Sequence, residues 1–223
     1  MIENISGNIA NKVSVELGYD KEKEAIIKYG TYALIQTLIS VISVFILGLI
    51  FGIEVEALIF LFSVSILRKY SGGAHSDSSN TCTILGVLIS VLVGLVIDKI
   101  IIGNISLNII LVVSLIVFIW AYYIVLKYAP VDTKNKRIKT EKKKKRMLKG
   151  SLKILTIYLV VVLGGAIIYY NFNLEIAKSV MISLVLGVVW QCITLTSMGE
   201  LLLNFIDSFI HKLLQYLKGM SLK

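Results

Sequence analysis

Apolar residues in this chain fall into long unbroken runs rather than the alternation of a half-buried strand. Crossing about 30 Å of hydrocarbon at about 1.5 Å per residue takes roughly 20 mainly apolar residues. Four runs meet that length: Thr31 to Ile53, Ile105 to Leu126, Leu152 to Tyr170 and Ser179 to Met198. Two are shorter, Ala57 to Leu67 behind Glu54 and Glu56, and Cys82 to Ile97 behind a polar loop. Each is a thin span, a tilted span with snorkelling flanks, or half of a re-entrant hairpin. Ahead of them, Ile2, Ile5, Ile9, Val13 and Leu17 recur at three- and four-residue spacing among polar neighbours. That spacing predicts an amphipathic helix lying on the membrane surface. The pattern therefore predicts an all-α integral membrane protein of about six transmembrane helices, with an N-terminal amphipathic surface helix. Charged residues break up the first thirty positions, so no cleaved signal peptide is expected.

Composition excludes the water-soluble alternative. Hydrophobic residues make up 57% and charged residues 17% of the 223 positions, and mean hydropathy is +0.84. Soluble domains carry about 25% charge. A single proline leaves long helices largely unbroken. One membrane domain, 1–223, is expected. It divides into an amphipathic segment 1–30, four spans in 31–126 including a polar loop 68–82, a basic loop 127–151, two spans in 152–198 and a tail 199–223.

Charge placement gives the orientation. With the N-terminus inside, every one of the 23 Lys and Arg residues except Lys99 and Lys178 falls on the cytoplasmic side, as the positive-inside rule requires. Both termini and the polar loop are then cytoplasmic. The run Lys142 to Arg146 is read as an anchor on anionic lipid headgroups, each charge contributing about 1 kcal/mol near the surface. It can equally receive an acidic peptide segment. Nucleic-acid binding is not expected, because no aromatic interleaving accompanies the basic residues.

Chemistry concentrates in the loop Arg68, Lys69, Tyr70, Ser71, Gly72, Gly73, Ala74, His75, Ser76, Asp77, Ser78, Ser79, Asn80, Thr81, Cys82. Adjacent glycines permit a sharp turn. His75 and Cys82 would stand about 10.5 Å apart along a straight helix, too far for proton transfer, so the turn has to bring them together. A thiol with a pKa of about 8.5 is only slightly ionised at neutral pH, and an imidazole partner or a helix N-terminus raises that fraction. On spacing alone, a small buried Cys82 and a polar loop His75 are the better-fitting reading, because a lone Cys and His seven apart is a weak signal.

The string RKYSGGAH, then six residues and Cys82, with the later YAPVDTKNKRI and Gln191 followed by threonines, resembles the accessory gene regulator protein B family of membrane endopeptidases in Gram-positive quorum sensing. The likeness covers nearly the whole chain. It implies that Cys82 is the nucleophile and His75 the base, and it carries over the motif's arginine and second glycine as Arg68 and Gly73. It also implies a small pro-peptide substrate, cut on its C-terminal side and cyclised to a thiolactone through an acyl-enzyme thioester. No cofactor and no metal are required for that exchange.

The remaining residues are read more modestly. Asp77 can orient His75, but a solvated loop charge fits its position better. Gly72 with Gly73 lets the loop fold back, and Arg68 holds the loop or a peptide carboxylate. The loop serines are read as loop polarity. Cys192, mid-span, is a small apolar residue. The amides of Gln36 and Gln191 join helices, contact the loop or supply an oxyanion donor, with helix packing favoured. His211 belongs to a second surface helix. Gly86, Ser90 and Gly94 can pack a helix closely within one chain or in a homodimer. The alternative to an enzyme is a non-catalytic peptide exporter or scaffold.

Overall fold

The computed structural model describes residues 2–74, 79–131, 140–206 and 208. It is helical, with no strand among the described residues. The helices are α1 (Ile2–Leu17), α2 (Lys21–Phe51), α3 (Glu54–Ser71), α4 (Ser79–Val96), α5 (Leu107–Tyr128), α6 (Glu141–Phe172) and α7 (Glu175–Thr194), followed by a short α8 (Ser197–Ile206). Two compact units divide the chain, Met1–Ser43 and Val44–Lys223.

In the first unit, α1 forms where the three- and four-residue apolar spacing predicts a helix. Its large apolar side chains Ile5, Ile9 and Leu17 are exposed, while Ser6, Ala10 and Ser14 are buried. The apolar face is left for a nonprotein environment, as a surface-lying helix requires. Gln36, on α2, donates to the Tyr32 hydroxyl one turn back at 3.2 Å.

Five helices are long and apolar enough to cross a membrane: α2, the stretch Thr81–Ile101, α5, α6 and α7. The short segment at Cys82 is thus longer than its apolar core, because a π-helical turn, Ile97–Ile101, carries it past the Asp98–Lys99 ion pair. The segment at Ala57 lies within an 18-residue helix of about 27 Å. Glu54 and Glu56 in its first turn and Arg68 and Lys69 in its last suit the helix dipole and hide its length from a hydropathy reading. α6 also starts earlier than expected. The Thr140 side chain caps it, accepting from Lys143 N, so the basic run is its first turns rather than a loop.

Close approaches fix the directions. A tight turn at Gly52, φ 68, reverses the chain between α2 and α3, closed by Ile53 N to Gly48 O at 2.9 Å. Gly94 of α4 lies against Ile53 and Ala57, so α4 runs antiparallel to α3. Gly86, by contrast, has open space beside it. Gly150 of α6 meets the Tyr70 ring, and the Tyr158 hydroxyl donates to Ser63 O at 3.0 Å, so α6 is antiparallel to α3 as well. α7 runs parallel to α3: Gly187 faces Ser63 and the Phe60 carbonyl, and Gln191 reaches Ser71 and Gly72. α7 is the central helix, with 67% of its apolar window buried against 11% for α2. Its Met181, Val185, Val188 and Cys192 pack with Leu67, Phe118, Leu155 and Val162.

The second unit therefore has two ends. One gathers Ser71 to Ala74, the start of α4, Val131, the start of α6 and the end of α7. At the other lie Ile53 to Ala57, the π-helical turn and the start of α7. A side chain at Gly187 would run into Ser63 Oγ and, within 3.3 Å, the Phe60 carbonyl. Gly187→Leu is expected to cost about 1 to 3 kcal/mol by overpacking and to lower the melting temperature in detergent, while Gly86→Leu leaves it unchanged.

Candidate functional site

The end of α3 and the three residues that follow, Gly72 to Ala74, form a turn at the head of the polar loop. At Gly72 the chain takes φ 71, a left-handed conformation that closes α3 with Gly72 N bonded to Arg68 O at 2.9 Å. Gly73 follows at φ 133. A methyl on Gly72 would strike the Val131 carbonyl, and one on Gly73 would lie 2.9 Å from Thr194 Oγ1 and 3.3 Å from Gln191 Nε2. Both glycines are thus required by conformation and by space.

Buried backbone groups must find partners, and this turn finds them on the end of α7, on Val131 and on Arg68 of α3 itself. Gln191 Nε2 donates to Gly72 O at 2.7 Å and to Ser71 Oγ at 3.0 Å. Ala74 N donates to Thr194 O at 2.8 Å. Val131 N, just beyond the cis Ala129–Pro130 bond, donates to Ser71 O at 2.9 Å. Arg68 reaches forward from the last turn of α3, its Nη2 donating to the Ala74 carbonyl.

Cys82 is the fourth residue of α4 and is partly buried. It stands level with Arg68, because the contact of Gly94 with Ile53 and Ala57 brings the start of the antiparallel α4 to the end of α3. Arg68 Nε is buried and has no hydrogen-bond partner among the described residues, and the same holds for Gln191 Oε1. His75 and Asp77 lie outside the described residues, as do Ser76, Ser78 and His211. Among the described residues no cluster of His, Cys, Asp and Glu could hold a metal.

Arg68, Gly72, Gly73 and Gln191 are therefore brought together, with Cys82 beside Arg68. Gln191, favoured from the sequence as a helix-packing amide, instead spends its donor protons on the loop. Ser71, read as loop polarity, is fully buried, with its hydroxyl bonded to Leu67 O at 3.0 Å and to Gln191. Cys192 is a core residue, fully buried. Sequence reasoning missed Ser71, Thr194 and Val131. The last two act through backbone atoms, which leave no side-chain signal, and the threonines after Gln191 were the only hint. Lys142, Lys144, Lys145 and Arg146 are exposed at this same end.

A family model described as Accessory gene regulator B matches residues 6–195. An AgrB-like protein of Clostridium perfringens strain SM101 is 61% identical over 214 residues, covering 96% of this chain and all of its own length. A second, from Clostridium perfringens strain 13, has the same identity and coverage. No solved structure matches.

Replacing Gln191 by Leu leaves the Gly72 carbonyl without this donor in a buried site, which costs about 1 to 3 kcal/mol. Hydrogen exchange of the Gly72 to Ala74 amides should quicken at least tenfold in Gln191→Leu and little in Gln36→Leu.

Proposed function

The chain belongs to the accessory gene regulator B family, and on that premise we propose that it is a membrane-embedded cysteine endopeptidase acting on a small amphipathic pro-peptide. The family's part is in quorum-sensing peptide processing. In this reading Cys82 is the nucleophile. His75 takes the thiol proton and returns it to the leaving amine. The peptide's C-terminal part departs, and the acyl group stays on Cys82 as a thioester. A cysteine within the peptide then attacks that thioester and releases a cyclic thiolactone. One thioester replaces another, so the exchange is nearly balanced in energy, whereas attack by water would lose the activated bond. A site partly closed to water favours the ring.

The observation that carries this reading is the pinned turn at Ser71 to Ala74. It ties the chain immediately before His75 to α7, and it sets Arg68 beside the first turn of α4 where Cys82 stands. The N-terminal end of α4 and the guanidinium are two positive features near one thiol, and thiolate nucleophiles use both kinds.

Orientation follows from charge. The end of the second unit that holds the turn carries Arg68, Lys69, Lys127, Lys142 to Arg146, Lys149 and Lys153, and the opposite end carries Lys99 and Lys178. The basic end faces the cytoplasm in this reading, where new peptide arrives. The exposed basic turns of α6 anchor on anionic lipid and offer a landing place for an acidic segment of the peptide. A homodimer remains compatible with the open space at Gly86.

Co-expression with the pro-peptide and mass spectrometry of the products tests the proposal. Cys82→Ala and Cys82→Ser should lower cleavage by more than about 10³-fold with membrane insertion unchanged. Retained cleavage would falsify the nucleophile assignment and favour an exporter or scaffold. Asp77→Asn should leave cleavage within a few-fold, and a loss comparable with that of His75→Ala would make Asp77 a third member of the site.

A further inference from the structure

We infer that Arg68 supplies the oxyanion donor of the reaction: its Nε–H, buried and unclaimed beside Cys82, receives the oxygen of the scissile carbonyl. This rests on the cysteine endopeptidase reading above and adds a group that touches the substrate.

A guanidinium offers five N–H donors in a fixed plane. One arm of Arg68, through Nη2, is committed to the Ala74 carbonyl. That bond fixes the plane of the group and therefore the direction of the remaining donors. Nε is sealed from solvent and bonded to nothing among the described residues. Native proteins rarely leave a buried donor unpaired, and those that persist mark strain, catalysis or an absent ligand. The donor here belongs to a residue in the last turn of α3, level with the first turn of the antiparallel α4 where Cys82 stands.

The chemistry supplies a partner. When Cys82 Sγ attacks the scissile carbonyl carbon, the S–C bond forms and the carbonyl π pair moves onto oxygen. Collapse restores the C=O bond, the C–N bond breaks, and the leaving amine takes the proton held on His75. The second half repeats this with the peptide's cysteine thiolate as the attacker and Cys82 as the leaving group. Both halves place negative charge on the same oxygen, beside the same sulfur. A donor whose plane is held before substrate arrives stabilises that charge once the carbonyl reaches it. The loop contact of Nη2 and the oxyanion contact of Nε thus use two nitrogens of one rigid fork, which a lysine cannot reproduce.

The test separates acyl transfer from thiol reactivity. Alkylation of Cys82 by iodoacetamide uses the same sulfur but builds no oxyanion. Full-length Arg68→Lys keeps the positive charge and should alkylate at Cys82 within about threefold of the wild-type rate, read by mass spectrometry. Its kcat for pro-peptide cleavage should fall about 10² to 10³-fold with KM little changed. If alkylation and cleavage fall together, Arg68 acts only by holding the loop, and the inference is overturned. A rise in KM alone means that Arg68 docks a peptide carboxylate, which also overturns it, as does unchanged cleavage. Should Arg68→Lys fail to insert, Arg68→Gln, which retains N–H donors, must cleave faster than Arg68→Leu, and equal rates sink the idea. A wild-type protein that forms no acyl-enzyme at Cys82 removes the endopeptidase reading itself. Acyl-enzyme in the wild type with full activity in Arg68→Lys removes only the oxyanion assignment.

Discussion

A backbone N–H or C=O group enclosed by apolar helices has no water to turn to, so the protein must provide its partner. That constraint governs the turn at Ser71 to Ala74. Leaving one helix end and entering another exposes several such groups at once, because the last carbonyls of a helix have no partner within it. Here they are met by the Gln191 amide, the Thr194 carbonyl, Val131 N and the Arg68 guanidinium. Two of these lie at the end of α7, the helix that also supplies the centre of the core. The packing of the bundle and the shape of the turn are therefore one problem. Shifting α7 along its axis to relieve a clash at Gly187 would also move Gln191 away from Gly72.

The parts of this arrangement differ in how plainly the sequence announces them. Long apolar runs give the spans directly, and the pair Gly72–Gly73 gives the turn. Helix lengths are less legible, because charged residues that suit a helix end also end a hydropathy run. Glu54, Glu56 and the residues from Glu141 to Lys149 are all helical for that reason. An amide in the midst of an apolar helix, Gln191, is a visible anomaly, and its partner is what the sequence withholds. Ser71 and Gln191 stand 120 residues apart, and nothing local says that they meet. The contacts through Thr194 O and Val131 N are fainter still, since any residue type could make them. His75 and Asp77 are legible by motif alone.

Two cations drawn into the helix bundle show what the difference between structure and chemistry looks like. Lys178, at the far end of α7, is 5% exposed, and its ammonium is fully engaged. It donates to Ile102 O at 2.6 Å, pairs with Glu175 at 3.1 Å and lies 5.2 Å from the Tyr169 ring centre. A charge taken out of water needs such surroundings. Its role is complete: it closes the free carbonyl at the end of the π-helical turn and holds α7 to the segment before α5. Arg68 is half-buried with its Nε sealed, and its contact among the described residues occupies another nitrogen, Nη2. Leaving a buried N–H of a guanidinium unpaired is costly, and in the oxyanion reading the substrate supplies the missing acceptor. A lysine at this position carries its three donors on one rotating nitrogen and could not hold the Ala74 carbonyl and a second acceptor in one fixed plane. The planar fork can hold the loop with one nitrogen while presenting another, which makes the choice of arginine intelligible on chemical grounds.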